Sequence, residues 1–156
     1  MSTKKTKILI LCHGNICRST MAEGILKHKF IQQSKNVIVE SAGFEAFHIG
    51  DEPDKRTIET LRNHQITLSG KKARLFTTED FDNFDKIYFM DDNNFHHVKA
   101  FVRSKEDLAK LDYIMNVVEL KLNLQVPDPY YGGKEGFEKV YQMLDKACNV
   151  ISELYS

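Results

Sequence analysis

The sequence predicts a three-layer α/β fold of the doubly wound kind, a parallel sheet with helices on both faces. Four short apolar runs, Ile8 to Leu11, Val37 to Val39, Ile87 to Met90 and Ile114 to Val118, are rich in Ile and Val and bounded by polar residues. Strands buried on both faces have this composition. Segments with helical period lie between the runs, and strands that alternate with helices imply right-handed crossovers and a parallel sheet. Only three prolines and eight glycines punctuate the 156 residues, with no repeat and no low-complexity stretch. Residues 1–156 therefore read as one domain, large enough to bury roughly two thirds of its unfolded surface without a disulfide or a metal.

Taken in order, Ile8 to Leu11 is the first strand, led in by the solvated Lys4, Lys5 and Lys7. Ser19 and Thr20 then offer a helix cap, with Glu23 placed to complete a capping box, and Met21, Ala22, Ile25, Leu26 and Phe30 share one face of the first helix. After the strand Val37 to Val39, weaker helical patterns cover Asp54 to His64 and, beyond Ile87 to Met90, Lys105 to Leu111. The fourth strand is expected at Ile114 to Val118. Phe137, Val140, Tyr141, Leu144, Cys148, Ile151 and Leu154 recur at three- and four-residue steps, an amphipathic helix of about five turns.

Charge and cysteine usage narrow the function. The 22 basic and 22 acidic side chains cancel, which argues against a broad basic face for nucleic acid. Three unevenly spaced cysteines, Cys12, Cys17 and Cys148, do not make a secreted disulfide scaffold. The apolar run after MSTKKTK is far shorter than a membrane span and lacks a small-residue cleavage site. A cytoplasmic protein without a membrane span is expected.

In doubly wound folds ligands bind beyond the carboxyl ends of the strands. The loop there reads CHGNICRS, Cys12 to Ser19, and runs from the first strand directly into the first helix. The helix end presents unpaired N–H groups and a partial positive charge, so it is suited to an anion. Gly14 and Asn15 accept the left-handed angles that let successive N–H groups point inward, and Arg18 adds a planar fork for two phosphoryl oxygens. The same field favours the thiolate of Cys12, and Ser19 is placed to hydrogen-bond it. A nucleotide P-loop would carry Gly-Lys-Ser/Thr, and no such lysine follows the glycine here. A cysteine inside a phosphate cradle points to covalent phosphoryl transfer. A Cys, five residues and an Arg also arise by chance around a buried cysteine; the strand, loop and helix context makes this one informative.

Displacing a tyrosine phenolate, with a parent pKa of about 10, needs a proton donor. Asp128 in VPDPYYGG lies between Pro127 and Pro129 on a stiff loop before the last helix. Negative charge on the thiolate and phosphate favours retention of its proton, so it would protonate the phenolate and then activate water. Tyr130 and Tyr131 would wall a substrate ring. Taken alone, Asp128 is a turn aspartate and the tyrosines are rim packing.

With these segments in order, the chain resembles the low-molecular-weight protein tyrosine phosphatases over nearly its whole length. CHGNICRSTMAE resembles their nucleophile loop, SAGFEAFHIGDEPDKR their second-strand and wall region, and KKAR, FMDDNN and VPDPYYGGKEGFEKVY their later segments. The resemblance implies a four-stranded parallel sheet of flavodoxin-like architecture, a phosphocysteine intermediate and no metal or other cofactor. It implies Cys12 as nucleophile, Arg18 as phosphate binder and Asp128 as acid and base. It further implies that Asn15 shapes the loop, that Ser19 bonds the thiolate, and that Asp91 and Asn94 brace the loop from behind. The substrate-binding set is then His13, Gly14, Asn15, Ile16, Cys17, Ser19, Phe47, Tyr130 and Tyr131. The expected partners are phosphotyrosine proteins or peptides and phosphate-like anions, with the chain a monomer or weak dimer.

Three positions depart from the family pattern. His13 follows the nucleophile where an apolar residue or threonine is usual, and reads as a solvated rim histidine or as a residue that alters substrate preference. Phe47 stands where Trp or Tyr is common, and Thr20 replaces a common proline. Cys17 is either a redox partner of Cys12 or a packing cysteine. His96 and His97 read as solvated helix surface, and His48 is not assigned to the site. The competing functions are phosphoarginine hydrolysis, against which Ile16 stands where threonine is usual, arsenate reduction, and a phosphotyrosine-binding module without turnover. Metal binding by Cys12, His13 and Cys17 lacks a fourth ligand.

Overall fold

The computed structural model describes residues 4–156. Four parallel strands, β1 (Lys7–Leu11), β2 (Ile38–Ala42), β3 (Lys86–Phe89) and β4 (Leu111–Tyr113), lie in the order β2-β1-β3-β4. Around them run α1 (Arg18–Gln32), α2 (Lys55–Asn63), α3 (Asp80–Asn83), α4 (Asp92–Lys99), α5 (Lys105–Lys110) and α6 (Lys134–Leu154). The α/β class and the four-stranded parallel sheet are as expected.

β1 is central. Ile8 pairs with Val39 on one side and Lys86 on the other, and Leu11 with Ala42 and Phe89. A central strand needs both faces apolar, and its side chains split the core in two. Ile8 and Ile10 join α1, α2 and α6 through Ile25, Leu61, Phe137 and Leu144. Leu9 and Leu11 join Phe81, Phe84 and Val98 on the side of α3 and α4. Cys148, fully buried on α6, points its sulfur at the Ala22 carbonyl 3.8 Å away.

The fourth strand is not at Ile114 to Val118. It is Leu111–Tyr113, and Ile114–Val117 forms one 3₁₀ turn. The apolar residues there mark where the chain leaves the sheet edge and drops Ile114 and Met115 into the α1/α6 core. Helix α5 stops at Lys110 because Leu111 turns extended to pair with Ile87. The second strand runs from Ile38 to Ala42, later than Val37 to Val39.

No side chain caps α1. Its N-cap is Cys17, and neither Ser19 nor Glu23 serves as a cap. Glu23 instead accepts from Ser41 Oγ at 2.5 Å and Lys27 Nζ at 2.6 Å. The capping box lies at the other strand end: Asp91 accepts from Asn94 N at 2.8 Å, while Asn94 Oδ1 accepts from Asp91 N at 3.3 Å.

Candidate active site

A cleft of about 720 Å³ opens beyond the carboxyl ends of β1 and β3, with Cys12 and Arg18 in its lining. Cys12 is 2% exposed. Its sulfur lies 3.0 Å from Ser19 Oγ, so the hydroxyl expected to cap the helix turns back to the sulfur instead. The first turn of α1 is thereby left to a ligand rather than to a side-chain cap.

Asn15 holds the loop in shape. Its φ of 56° is left-handed, a conformation asparagine tolerates because its side chain bonds locally. That side chain donates to Ser19 Oγ at 2.8 Å and Ser41 Oγ at 2.9 Å and accepts from Arg74 N at 3.0 Å. Gly14 does not share the left-handed angle expected of it. A Cβ there would crowd the His48 ring at 3.2 Å. Gly43 is a residue the sequence did not single out: a Cβ on it would lie 2.8 Å from the His13 carbonyl. That carbonyl accepts from Phe44 N at 2.7 Å and Glu45 N at 3.1 Å, which joins the loop to the end of β2.

Arg18 is 2% exposed and held at one end of its guanidinium. Nη1 donates to Asp91 Oδ2 at 2.6 Å and to the Val126 carbonyl at 2.8 Å, and Nη2 lies 3.8 Å from Asp128 Oδ2. Burial works against the cation, but Cys12, Asp91 and Asp128 outweigh it and raise its pKa. Asp128 is two-fifths exposed at the cleft and accepts from Tyr130 N at 3.0 Å.

Of the remaining expected residues, His13, Ile16, Cys17, Phe47, Tyr130 and Tyr131 line the cleft. Phe47 is 82% exposed and Tyr131 93%, an apolar rim open to a partner. Asn15, Ser19 and Asn94 sit behind it; Asn94 Oδ1 accepts from Met90 N at 3.0 Å as well as from Asp91 N in the cap of α4. Burial pushes the Cys17 thiol well above the ordinary cysteine range, and the sulfurs of Cys12 and Cys17 are free. His13 is half-exposed, with Nε2 3.6 Å from Glu45 Oε2. Glu45, held below the usual carboxylate range by the Phe47 N–H and by His13, is a lining residue that the sequence did not point to. His48 also lines the cleft. His97 is not free surface: it stacks on Phe44 at 5.3 Å and lies 6.1 Å from the His13 ring.

Residues 7–154 match the family of low molecular weight phosphotyrosine protein phosphatases. The chain belongs to that family. The human low molecular weight phosphotyrosine protein phosphatase is 35% identical over 98% of each chain. A solved protein tyrosine phosphatase from Entamoeba histolytica, with Hepes in its active site, superposes with a TM-score of 0.87 at 30% identity, over 94% of each chain. The solved arginine phosphatase of Drosophila gives the same TM-score, 0.87, at 28% identity, over 96% of this chain and 97% of that one. The same fold is thus found in a solved protein tyrosine phosphatase and in a solved arginine phosphatase, and it does not by itself separate the two substrates.

Proposed function

We propose that this chain hydrolyses phosphotyrosine in proteins or peptides in two steps, as one catalytic unit over residues 1–156. The Cys12 sulfur attacks phosphorus, forming S–P as the P–O bond to the phenol breaks. The Asp128 carboxyl gives its proton to the departing oxygen. Asp128 then takes a proton from water, whose oxygen attacks the cysteinyl phosphate, and the S–P bond breaks to return the thiolate and orthophosphate. Arg18 and the inward amides of the loop hold the equatorial oxygens in both steps. Asn15 and Ser19 keep the sulfur in register, and Asp91 and Asn94 hold Arg18.

The observation that carries this proposal is that Cys12 and Asp128 line one cleft, with Arg18 reaching 3.8 Å from Asp128. A module that only bound phosphotyrosine would need neither residue. The exposed rings of Phe47 and Tyr131 favour an aromatic substrate over phosphoarginine. A free thiol nucleophile fits a reducing compartment, hence a cytoplasmic protein.

Turnover of an aryl phosphate tests it. Cys12→Ser should abolish turnover and Asp128→Ala should lower it roughly 10²- to 10⁴-fold. Undiminished turnover by Cys12→Ser would refute the mechanism, and binding without wild-type turnover would favour the binding module. In competition, phosphotyrosine should exclude phosphoarginine.

A further inference from the structure

The segment DEPDKR contains a side chain that the phosphoryl chemistry does not use. Arg56 sits in the first turn of α2, whose N-cap is Asp54. Two hydrogen bonds bolt this end of α2 to the phosphate loop, and a close packing contact near its other end fixes α2 against α1. Asp54 N donates to the Ile16 carbonyl at 2.8 Å, and Thr57 Oγ1 to the Cys17 carbonyl at 3.4 Å. Gly24 of α1 packs so closely that a Cβ on it would stand 2.9 Å from Leu61 Cδ1. From this anchored end Arg56 reaches away to the loop that carries Asp128. Nη2 donates to the Tyr130 carbonyl at 2.8 Å and Nη1 to the Gly132 carbonyl at 2.9 Å, spanning 74 and 76 residues of sequence.

The guanidinium is held while it does so. Nε and Nη2 donate to the two Asp54 oxygens, each at 3.0 Å, and its carbon lies 4.5 Å from the Phe137 ring centre and 5.5 Å from that of Tyr130. By contrast, the hydrogen bonds that residues 128–133 make among themselves are local turns, Tyr130 N to Asp128 Oδ1 and Gly132 N to the Pro129 carbonyl. Such turns shape the loop but do not place it against the sulfur. A lysine, with no planar fork, makes neither the double carbonyl contact nor the stacking at once.

We infer that Arg56 is a positioning residue for the Asp128 carboxyl. It joins the Asp128 loop to the same helix end that supports the Cys12 loop, so that proton donor and nucleophile keep one spacing. This rests on the proposed acid role of Asp128. Arg56 itself touches no reacting atom, and its effect travels through the backbone of Tyr130 and Gly132.

A structural prop and a positioning residue differ in their leaving-group dependence. Proton donation matters for phenyl phosphate, whose phenolate is a poor leaving group, and little for 2,4-dinitrophenyl phosphate, which leaves without a proton. The measurement is kcat/KM for both esters with wild type, Asp128→Asn, Arg56→Met, Arg56→Lys and the double variant Arg56→Met/Asp128→Asn. Thermal melts establish that each variant is folded. Arg56→Met should lose about tenfold on phenyl phosphate and less than about twofold on the dinitrophenyl ester. Arg56→Lys should fall between wild type and Arg56→Met, and the double variant should be no slower than Asp128→Asn. Equal losses by Arg56→Met on both esters, or no loss, with Asp128→Asn still selective for phenyl phosphate, would overturn the positioning role alone. An unselective Asp128→Asn would remove the acid role and this inference together. If Arg56→Met does not fold, Arg56→Lys decides by the same ratio of losses.

Discussion

At the scale of single residues, the site depends on side chains whose most obvious local use is not the one they serve. Ser19 reads from the sequence as a helix cap, yet it lies inside the first turn of α1 and its hydroxyl is 3.0 Å from the Cys12 sulfur. The first turn has no side-chain cap, which would supply about 1 kcal/mol of helix stability, and the Ser19 hydroxyl is hydrogen-bonded to the Cys12 sulfur. Cys17 occupies the same loop, buried, and burial pushes its thiol pKa up. Peroxide would convert the Cys12 thiolate to a sulfenic acid; Cys17 would then attack that sulfur as it loses its proton, and the proton leaves with the sulfenic hydroxyl as water. After mild peroxide, peptide mass mapping should recover a Cys12–Cys17 crosslink that dithiothreitol reverses. Recovery of higher Cys12 oxides without the crosslink would make Cys17 a packing residue only. Cys12, Arg18 and Asp128 stood out in the sequence because their spacing or their prolines are tied to chemistry, and the structure brings all three to one cleft. Glu45 and Arg56 did not stand out, since an isolated surface-type charge carries no such signature until its partner is known.

At the scale of elements, the strongly periodic segments were legible and the edges were not. Helix α6 and strand β1 bury full faces, so their patterns survive in the chain. At the sheet edge, half-buried Leu111–Tyr113 has little pattern of its own, and the apolar signal belongs to the turn that follows it. Charge also ties elements together. Arg103 donates to Asp82 of α3 at 2.7 Å and to Asp107 of α5 at 2.9 Å. Its hydrogen bonds hold both carboxyls below the ordinary aspartate range. A depressed folded-state pKa contributes stability that is present above the unfolded value of about 3.9 and lost as pH falls through the folded value. Arg103→Gln should therefore lower the urea midpoint at pH 7, and the gap to wild type should narrow once pH falls below about 4. A gap that is unchanged at pH 2.5 would show that the loss comes from packing of the arginine stem instead.

At the scale of the whole molecule, the sheet order β2-β1-β3-β4 puts the carboxyl ends of β1 and β3 side by side. From there one connection leads into α1 and the other into α4, toward opposite faces of the sheet. The cleft lies where they part, as doubly wound sheets require. A ligand held there braces the native state alone. Orthophosphate at about 100 times its Kd should stabilise the fold by about 2.7 kcal/mol, a rise of roughly 5–10 °C in Tm. Arg18→Met should remove most of that rise while the protein still melts cooperatively. An equal rise in Arg18→Met would locate the phosphate elsewhere. Taken by itself, the sequence determined the α/β class, the phosphatase family and the placing of the Cys12 to Ser19 loop between the first strand and the first helix, because hydrophobic period and a short contiguous motif are local properties. Only the tertiary structure decided which carboxylates meet Arg18, how Asn15 reaches Ser41, and how Arg56 spans to the Asp128 loop. Those contacts join residues up to about a hundred positions apart, and their distances follow from strand order and helix packing, which no local pattern encodes.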